Sequence, residues 1–206
     1  MPIDSSRPAV LSEMIRSGVS VPVKLVIFLL PLIISSTLHA EEFFAEMALQ
    51  GVTFQVKSPN DGSINSVTVL AKTADGSIGT MESEADGTIT SVEVSDLNAD
   101  GYPEIYLYVT SAGSGSYGSL IAYASNRNKS LSPIDLPPID QDSTEAKGYM
   151  GHDEFAVIET TFVRRFPVYK EGDPNAAPTG GTRQIQYKLE AGEAGWVLRK
   201  DRVVEY

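Results

Sequence analysis

The chain has 206 residues, of which 42% are hydrophobic and 21% charged, a composition typical of a folded domain with its own core. The formal net charge of -11 argues against nucleic acids and anionic membrane surfaces as partners and favours a cationic protein or a cation. The absence of cysteine excludes disulfide bonds and a lipid-anchoring cysteine, so the core alone must stabilise the fold.

The N-terminal segment has the pattern of a secretory signal peptide. Basic residues precede the apolar run Leu25–Ile34, which is too short for a membrane span of about 20 residues. Small residues follow up to Ala40, and acidic residues come directly after it. This order predicts a signal peptide with a long n-region over residues 1–40 and a periplasmic location, with secretion as the less favoured alternative. The mature chain would have 13 basic and 25 acidic residues, a net charge of -12.

The mature chain is predicted to be all-β, because short alternating segments are separated by turn residues. Four Asp-Gly pairs are typical of turns, since glycine readily adopts a positive φ. Residue types predict strands at 53–57, 66–70, 88–94, 104–110, 120–124, 155–162, 183–189 and 196–204. We therefore predict an antiparallel β-sandwich or flattened barrel of about eight strands, in a single domain over residues 41–206. A helical turn is expected only at residues 141–147.

The stretch Ser111–Ser119, with the sequence SAGSGSYGS, connects two predicted strands and contains one large side chain, Tyr117. Such a segment is either a flexible hairpin connection or a binding loop, in which serines supply adaptable hydrogen bonds and tyrosine an anchor. It also satisfies the G-x-G-x-x-G pattern of dinucleotide sites. We reject that interpretation, because a strand follows where the pattern requires a helix.

A second candidate site is the segment 96–104, in which Asp96, Asn98, Asp100 and Glu104 have the spacing of calcium ligands around a glycine. An EF-hand also requires a bidentate glutamate at its twelfth position, and that position holds Leu107. The alternative is a turn in which these side chains accept hydrogen bonds from backbone amides, and this alternative is slightly favoured. Calcium is the one cofactor that the sequence leaves open.

Catalysis is disfavoured by the residues that are missing. His152 is the single histidine after residue 40, and there is no cysteine. The residues required for a zinc site, or for Cys-His or Ser-His catalysis, are therefore incomplete. We therefore predict that the protein is not an enzyme and has no catalytic residues. Arg164 and Arg165 are interpreted as a solvated or ion-paired strand end. Lys170–Thr182, rich in proline and glycine, is predicted to be a second surface loop.

Several long segments resemble the periplasmic inhibitors of invertebrate-type (I-type) lysozyme. The resemblance rests on Asp96–Ser132, which contains the two candidate sites, and on the later segments GYMGHDEF (148–155), RRFPVYK (164–170) and GGTRQ (180–184). It implies a β-sandwich fold, a tendency to form homodimers, and protection of peptidoglycan by inhibition of lysozyme.

The resemblance also implies site residues. In that family a Ser-Gly-x-Tyr loop is inserted into the active-site cleft of lysozyme, and here it corresponds to Ser114, Gly115 and Tyr117, with Ser116 at the variable position. Loops 147–153 and 170–182 are candidates for a second contact with the lysozyme. The alternative function is a calcium-dependent adhesion or glycan-binding module that uses the segment 96–104.

Overall fold

The computed structural model describes residues 42–206, and this part of the chain is built from strands. The strands are β1 (Phe43–Leu49), β2 (Val52–Ser58), β3 (Ile64–Thr73), β4 (Gly76–Asp86), β5 (Thr88–Ser95), β6 (Glu104–Thr110), β7 (Gly118–Ser125), β8 (Leu131–Asp135), β9 (Glu154–Ile158), β10 (Thr161–Pro167), β11 (Thr182–Ala191) and β12 (Trp196–Glu205). A 3₁₀ helix covers Thr144–Ala146. Within this range no helix is long and apolar enough to cross a membrane.

Strands β1 to β4 form an antiparallel sheet in chain order. The β1–β2 hairpin turns at Gln50 and Gly51, which both have positive φ, as a two-residue hairpin turn with the right twist requires. Along β2, Val52, Phe54 and Val56 are fully buried, while the residues between them are at least partly exposed. The sheet therefore has one apolar face, which packs against the second sheet.

The second sheet has the strand order β5-β6-β7-β8-β12-β11-β10-β9, and all its pairs are antiparallel except β8 with β12. Its two edge strands, β5 and β9, approach each other. Glu93 on β5 accepts a hydrogen bond from the Val157 amide of β9 at 2.7 Å and another from the Tyr108 hydroxyl. The sheet thus curls into a nearly closed barrel that is joined at its seam by a side chain.

Strand β6 lies between the two cores of this region. Ile105, Leu107 and Val109 face the four-stranded sheet, whereas Tyr106 and Tyr108 point into the barrel, where Tyr106 stacks on Phe162 at 5.7 Å. Each fully buried side chain of this size contributes about 1.5–3 kcal/mol. Because β6 is buried on both faces, the loop that follows it begins from a fixed position.

The structure confirms the all-β prediction and changes its details. The described residues contain twelve strands where about eight were predicted, because β1, β4 and β8 lack a strong sequence signal. The predicted strand 155–162 is wrong: it is the hairpin β9–β10, which turns at Glu159 with φ of 53°. The helical turn expected at 141–147 is present as the 3₁₀ helix. The predicted signal peptide lies outside the described residues.

Candidate functional site

Loop 111–117 connects β6 to β7 and has an ordered backbone. The Ser111 amide donates to the Tyr117 carbonyl at 2.9 Å, and the Tyr117 amide donates to the Ser111 hydroxyl oxygen at 3.0 Å. At the tip, the Ser116 amide donates to the Gly113 carbonyl at 2.9 Å. The loop is therefore a hairpin connection whose end is closed by its own hydrogen bonds.

The side chains of this loop point away from the core. Tyr117 is 49% exposed, Ser114 is exposed, and Gly115 and Ser116 are half-buried. Within residues 42–206 the hydroxyl groups of Ser114 and Tyr117 have no hydrogen-bond partner. Both hydroxyls are thus available to donate to groups of another molecule.

Two other loops support the backbone of loop 111–117. In loop 147–153, the His152 amide donates to the Gly115 carbonyl at 2.7 Å. In loop 170–181, the Asn175 side-chain amide donates to the Ser114 carbonyl at 3.0 Å. Asn175 also lies 3.2 Å from the His152 ring nitrogen Nε2, so the three loops form one connected surface.

The fit between loops 111–117 and 147–153 is close. A Cβ atom on Gly151, which has φ of +88°, would lie 2.1 Å from the Gly115 carbonyl oxygen. A Cβ atom on Gly115 would lie 2.5 Å from the Tyr117 ring. Only glycine at both positions allows the two backbones and the ring to approach this closely.

Loop 170–181 is ordered by Asp173. Its carboxylate accepts hydrogen bonds from the amides of Lys170 and Thr179, both at 2.8 Å, and from the Thr179 hydroxyl. These bonds, that of Lys170 first, lower the pKa of Asp173 below its usual value. The loop that holds Asn175 against Ser114 is therefore fixed at its base.

A buried ion pair beneath these loops was not predicted from the sequence. Asp153 has a fully buried side chain, and its Oδ1 accepts a hydrogen bond from Nε of Arg164 at 2.7 Å; the Arg164 side chain is 7% exposed. Arg164 is ion-paired, as one of the two predicted alternatives held, but it is buried in the interior of β10 and not solvated at a strand end. The sequence did contain a signal, because Arg164 alternates with Phe162 and Phe166 on the inward face of β10.

The segment 96–104 uses its side chains on its own backbone. Asp96 accepts from the amides of Asp100 and Gly101, both at 2.9 Å, and Asp100 accepts from the Tyr102 amide. Asn98 also accepts a hydrogen bond from the Asp100 amide, at 3.0 Å. This arrangement is the predicted alternative to a calcium loop, a turn in which side chains accept hydrogen bonds from backbone amides.

Asp96, Asp100 and Glu104 are nevertheless the group that could hold a metal ion within residues 42–206, since one carboxylate oxygen of each lies within 4.8 Å of the others. Glu104 is fully buried and accepts a hydrogen bond from the Leu97 amide at 2.7 Å. Burial raises the pKa of Glu104 to about 8, the nearby charges of Asp96 and Asp100 act in the same direction, and the Leu97 amide opposes them. A neutral carboxyl group is a poor calcium ligand.

Part of the chain is similar to a known protein family. The model of a family described as periplasmic lysozyme inhibitor of I-type lysozyme (PliI) matches residues 66–146, a span that includes loop 111–117 and ends before the two supporting loops. No curated protein matches the chain.

Two solved structures are similar to part of the chain. The crystal structure of the PliI of Aeromonas hydrophila is 29% identical, covers 48% of this chain and 93% of its own, and has a TM-score of 0.41. The same inhibitor in complex with Meretrix lusoria lysozyme is 30% identical, covers 50% of this chain and 94% of its own, and has a TM-score of 0.40. The family is described as periplasmic, as was predicted for this chain. The family-model match and the 30% identity over nearly the whole of that inhibitor show that this chain belongs to the PliI family of periplasmic inhibitors of I-type lysozyme.

Proposed function

We propose that this protein inhibits an I-type lysozyme in the periplasm by inserting loop 111–117 into the active-site cleft, and that it is an inhibitor rather than an enzyme. The observation that carries the proposal is the outward display of Ser114 and Tyr117 on a backbone held by two neighbouring loops. A PliI from Aeromonas hydrophila has been crystallised with a lysozyme, which supports this class of partner.

The chemistry of the loop suits a lysozyme cleft. Retaining glycosidases hold two carboxyl groups about 5 Å apart at the bottom of a groove. The hydroxyls of Ser114 and Tyr117 could donate to these carboxyl groups or to the polar groups beside them. A hydrogen bond to a charged group contributes about 1.5–3 kcal/mol, so the two together would supply about 3–6 kcal/mol.

The rest of the affinity must come from a wider interface. Nanomolar binding requires about 12 kcal/mol, and an ordinary interface buries about 800 Å² on each partner. Loops 147–153 and 170–181 lie next to loop 111–117 and include the exposed side chains of Met150 and Asn175. These loops are the second contact in this proposal. The negative charge would speed the approach of a cationic lysozyme, and added salt would weaken that effect.

The direct test is inhibition of an I-type lysozyme by the purified protein and by the double variant Ser114→Ala/Tyr117→Ala. We expect the variant to be weaker by about 100-fold or more, since two hydrogen bonds to charged groups are lost. Its thermal midpoint should match that of the original protein, because both side chains point away from the core. Assays with chicken-type and goose-type lysozymes would define the preferred class.

Tyr206→Ala is a matched control, because Tyr206 is also exposed, at 67%, and lies outside the three loops. This variant should inhibit as strongly as the original protein. Unchanged inhibition by the double variant would show that loop 111–117 does not enter the cleft. Hydrolysis of peptidoglycan by the protein itself would contradict the assignment as a non-enzyme.

A further inference from the structure

The peptide bond between Tyr117 and Gly118 is held on both sides. Its carbonyl oxygen, that of Tyr117, accepts the hydrogen bond from the Ser111 amide. Its amide, that of Gly118, donates to Oδ2 of Asp153 at 2.7 Å. Because the plane of this peptide is fixed at both ends, the backbone direction at Tyr117 is set in part by a carboxylate that lies 35 residues further along the chain.

The Tyr117 side chain is linked to the same carboxylate. The Tyr117 ring meets the Tyr149 ring edge to face, with centroids 5.6 Å apart and an angle of 80°. The Tyr149 hydroxyl donates to Oδ2 of Asp153 at 2.7 Å, so the ring against which Tyr117 packs is held by Asp153. Phe166 packs on Tyr149 from another direction at 4.6 Å.

Arg164 completes the arrangement. Its Nη2 donates to the Tyr149 hydroxyl at 2.6 Å, and its guanidinium lies 5.2 Å from the Tyr149 ring centroid. Burial by itself would lower the pKa of Arg164, but the hydrogen bond and the charge of Asp153 raise it above its usual value. Burial and the hydrogen bond to Asp153 raise the pKa of Tyr149, which keeps its hydroxyl protonated as a donor.

A buried ion pair is weak evidence for stability, because apolar residues of the same volume often stabilise a fold equally well. The contacts made by this pair are specific, however, since one oxygen of Asp153 binds Arg164 and the other binds both Gly118 and Tyr149. Two separate routes, one through the backbone and one through a ring, therefore lead from this carboxylate to Tyr117.

We propose that Asp153 is a positioning residue that sets the direction of Tyr117 in the free inhibitor, through Gly118 and Tyr149, and that inhibition depends on this pre-organisation. The proposal rests on the proposed function of loop 111–117. A binding group must be held within about 0.5 Å of its productive position, which a glycine-rich loop does not achieve without support. Preforming the bound conformation increases affinity because less conformational freedom is lost on binding.

The test is a double-mutant cycle with Asp153→Asn and Tyr117→Ala, with the inhibition constant as the measured quantity. Asparagine keeps the size of the side chain but has a single acceptor oxygen, so it cannot serve Arg164, Gly118 and Tyr149 together. We expect Asp153→Asn to weaken inhibition by about 10-fold in the original background. In the Tyr117→Ala background the same substitution should have almost no further effect, because the group that it positions is already absent.

A purely structural role for Asp153 predicts a different result: the effects of the two substitutions would be additive, and this would overturn the proposal. If Tyr117→Ala leaves inhibition unchanged, the loop assignment itself fails and the positioning role fails with it. If Tyr117→Ala weakens inhibition and Asp153→Asn does not, the loop assignment stands and the positioning role is wrong.

Two further variants protect the experiment against a general loss of folding. Tyr149→Phe keeps the ring that contacts Tyr117 and removes only the hydroxyl, so it can replace Asp153→Asn in the same cycle if that variant does not fold.

Glu93→Gln is the matched control, because Glu93 also accepts hydrogen bonds from a backbone amide and a tyrosine hydroxyl, but at the seam of the barrel. It should leave the inhibition constant unchanged even where it lowers the thermal midpoint. Faster hydrogen exchange of the Gly118 amide in Asp153→Asn, but not in Glu93→Gln, would report the lost contact directly.

Discussion

Loops 96–103 and 111–117 lie at opposite ends of β6, and the sequence marks both as candidate sites. They differ in which groups form hydrogen bonds with their backbone amides and carbonyls. In loop 96–103, Asp96, Asn98 and Asp100 accept hydrogen bonds from amides of the same loop. In loop 111–117, the carbonyl groups of Ser114 and Gly115 are bound instead by the other two loops. The first loop uses its polar side chains internally, whereas in the second the Ser111 hydroxyl binds the loop's own backbone and the hydroxyls of Ser114 and Tyr117 do not.

This difference is a physical criterion for a binding loop. Polar side chains that bond to their own backbone stabilise a turn and have little capacity left for a ligand. A loop that is supported by its neighbours can present small hydroxyl side chains without becoming flexible. Paired substitutions, one in each loop system, distinguish the two arrangements.

The largest effect is expected from Gly151→Ala, compared with Gly101→Ala. The two glycines have nearly the same φ, +88° and +86°, so alanine would be strained by about 1–2 kcal/mol at either site. A Cβ atom on Gly101 has no atom within 4 Å, whereas one on Gly151 collides with the Gly115 carbonyl. We expect both variants to lose thermal stability and only Gly151→Ala to weaken inhibition, by about 100-fold if most of the loop contacts are lost. Equal inhibition by the two variants would contradict the role of loop 147–153 as a support.

The second prediction concerns the pH dependence of stability and the buried Glu104. The pKa of Glu104 is about 8 in the folded protein, compared with 4.5 for an ordinary glutamate. Between these two pH values the folded state therefore retains a proton that the unfolded state loses. The contribution of Glu104 to the free energy of unfolding should therefore be largest below pH 4.5 and should fall by about 1.4 kcal/mol per pH unit as the pH rises to about 8. Glu104→Gln should remove this contribution, as measured by urea denaturation between pH 5 and about 8, and leave inhibition unchanged. A slope that persists in the variant would assign it to another group.

Much of the fold could be predicted because alternation of apolar residues is a local signal. Strands β2, β3 and β11 show it clearly and were located from the sequence, and β6 was located from a continuous run of β-branched and aromatic residues. The hairpin between β9 and β10 could not be found, since Ile158–Thr161 contains no glycine, proline or asparagine and the turn uses Glu159 at positive φ. Strand β4 has only two β-branched side chains, Ile78 and Thr80, and ends in alternating acidic and small residues, so its strand signal is weak.

The same missed turn concealed the Asp153–Arg164 ion pair. The β9–β10 register pairs Glu154 with Arg165, and this brings Asp153 next to Arg164. A single continuous strand over 155–162 would have placed them far apart. Loop 111–117 was located from its composition and flanking strands, and its binding residues from the family resemblance. Its support by His152 and Asn175 depends on contacts between distant segments, which no local pattern records.

A smaller effect is expected from Asn175→Ala, which removes the hydrogen bond to the Ser114 carbonyl. One neutral hydrogen bond contributes about 0.5–1.5 kcal/mol, so inhibition should weaken by about 2-fold to 10-fold with little change in thermal stability. The paired variant is Asn98→Ala, which removes an acceptor for the Asp100 amide inside loop 96–103. Because the Asp100 amide keeps its hydrogen bond to Asp96, Asn98→Ala should lower thermal stability only slightly and leave inhibition unchanged. The reverse pattern would assign the binding role to loop 96–103.

The smallest effect is expected from calcium. Both oxygens of Asp96 already accept amide hydrogen bonds, and Gln50 donates to Oδ2 as well, so a cation would have to displace donors that then remain unpaired. Glu104 would also have to lose a proton near neutral pH before it could act as an anionic ligand. We therefore expect neither calcium nor a chelator to change inhibition or the thermal midpoint. A stabilisation of about 1.4 kcal/mol would require calcium at roughly ten times its dissociation constant, so the absence of a shift in millimolar calcium limits any site to weak binding. Loss of inhibition in the chelator would instead favour the calcium-dependent module, because an interface made by Ser114 and Tyr117 needs no metal.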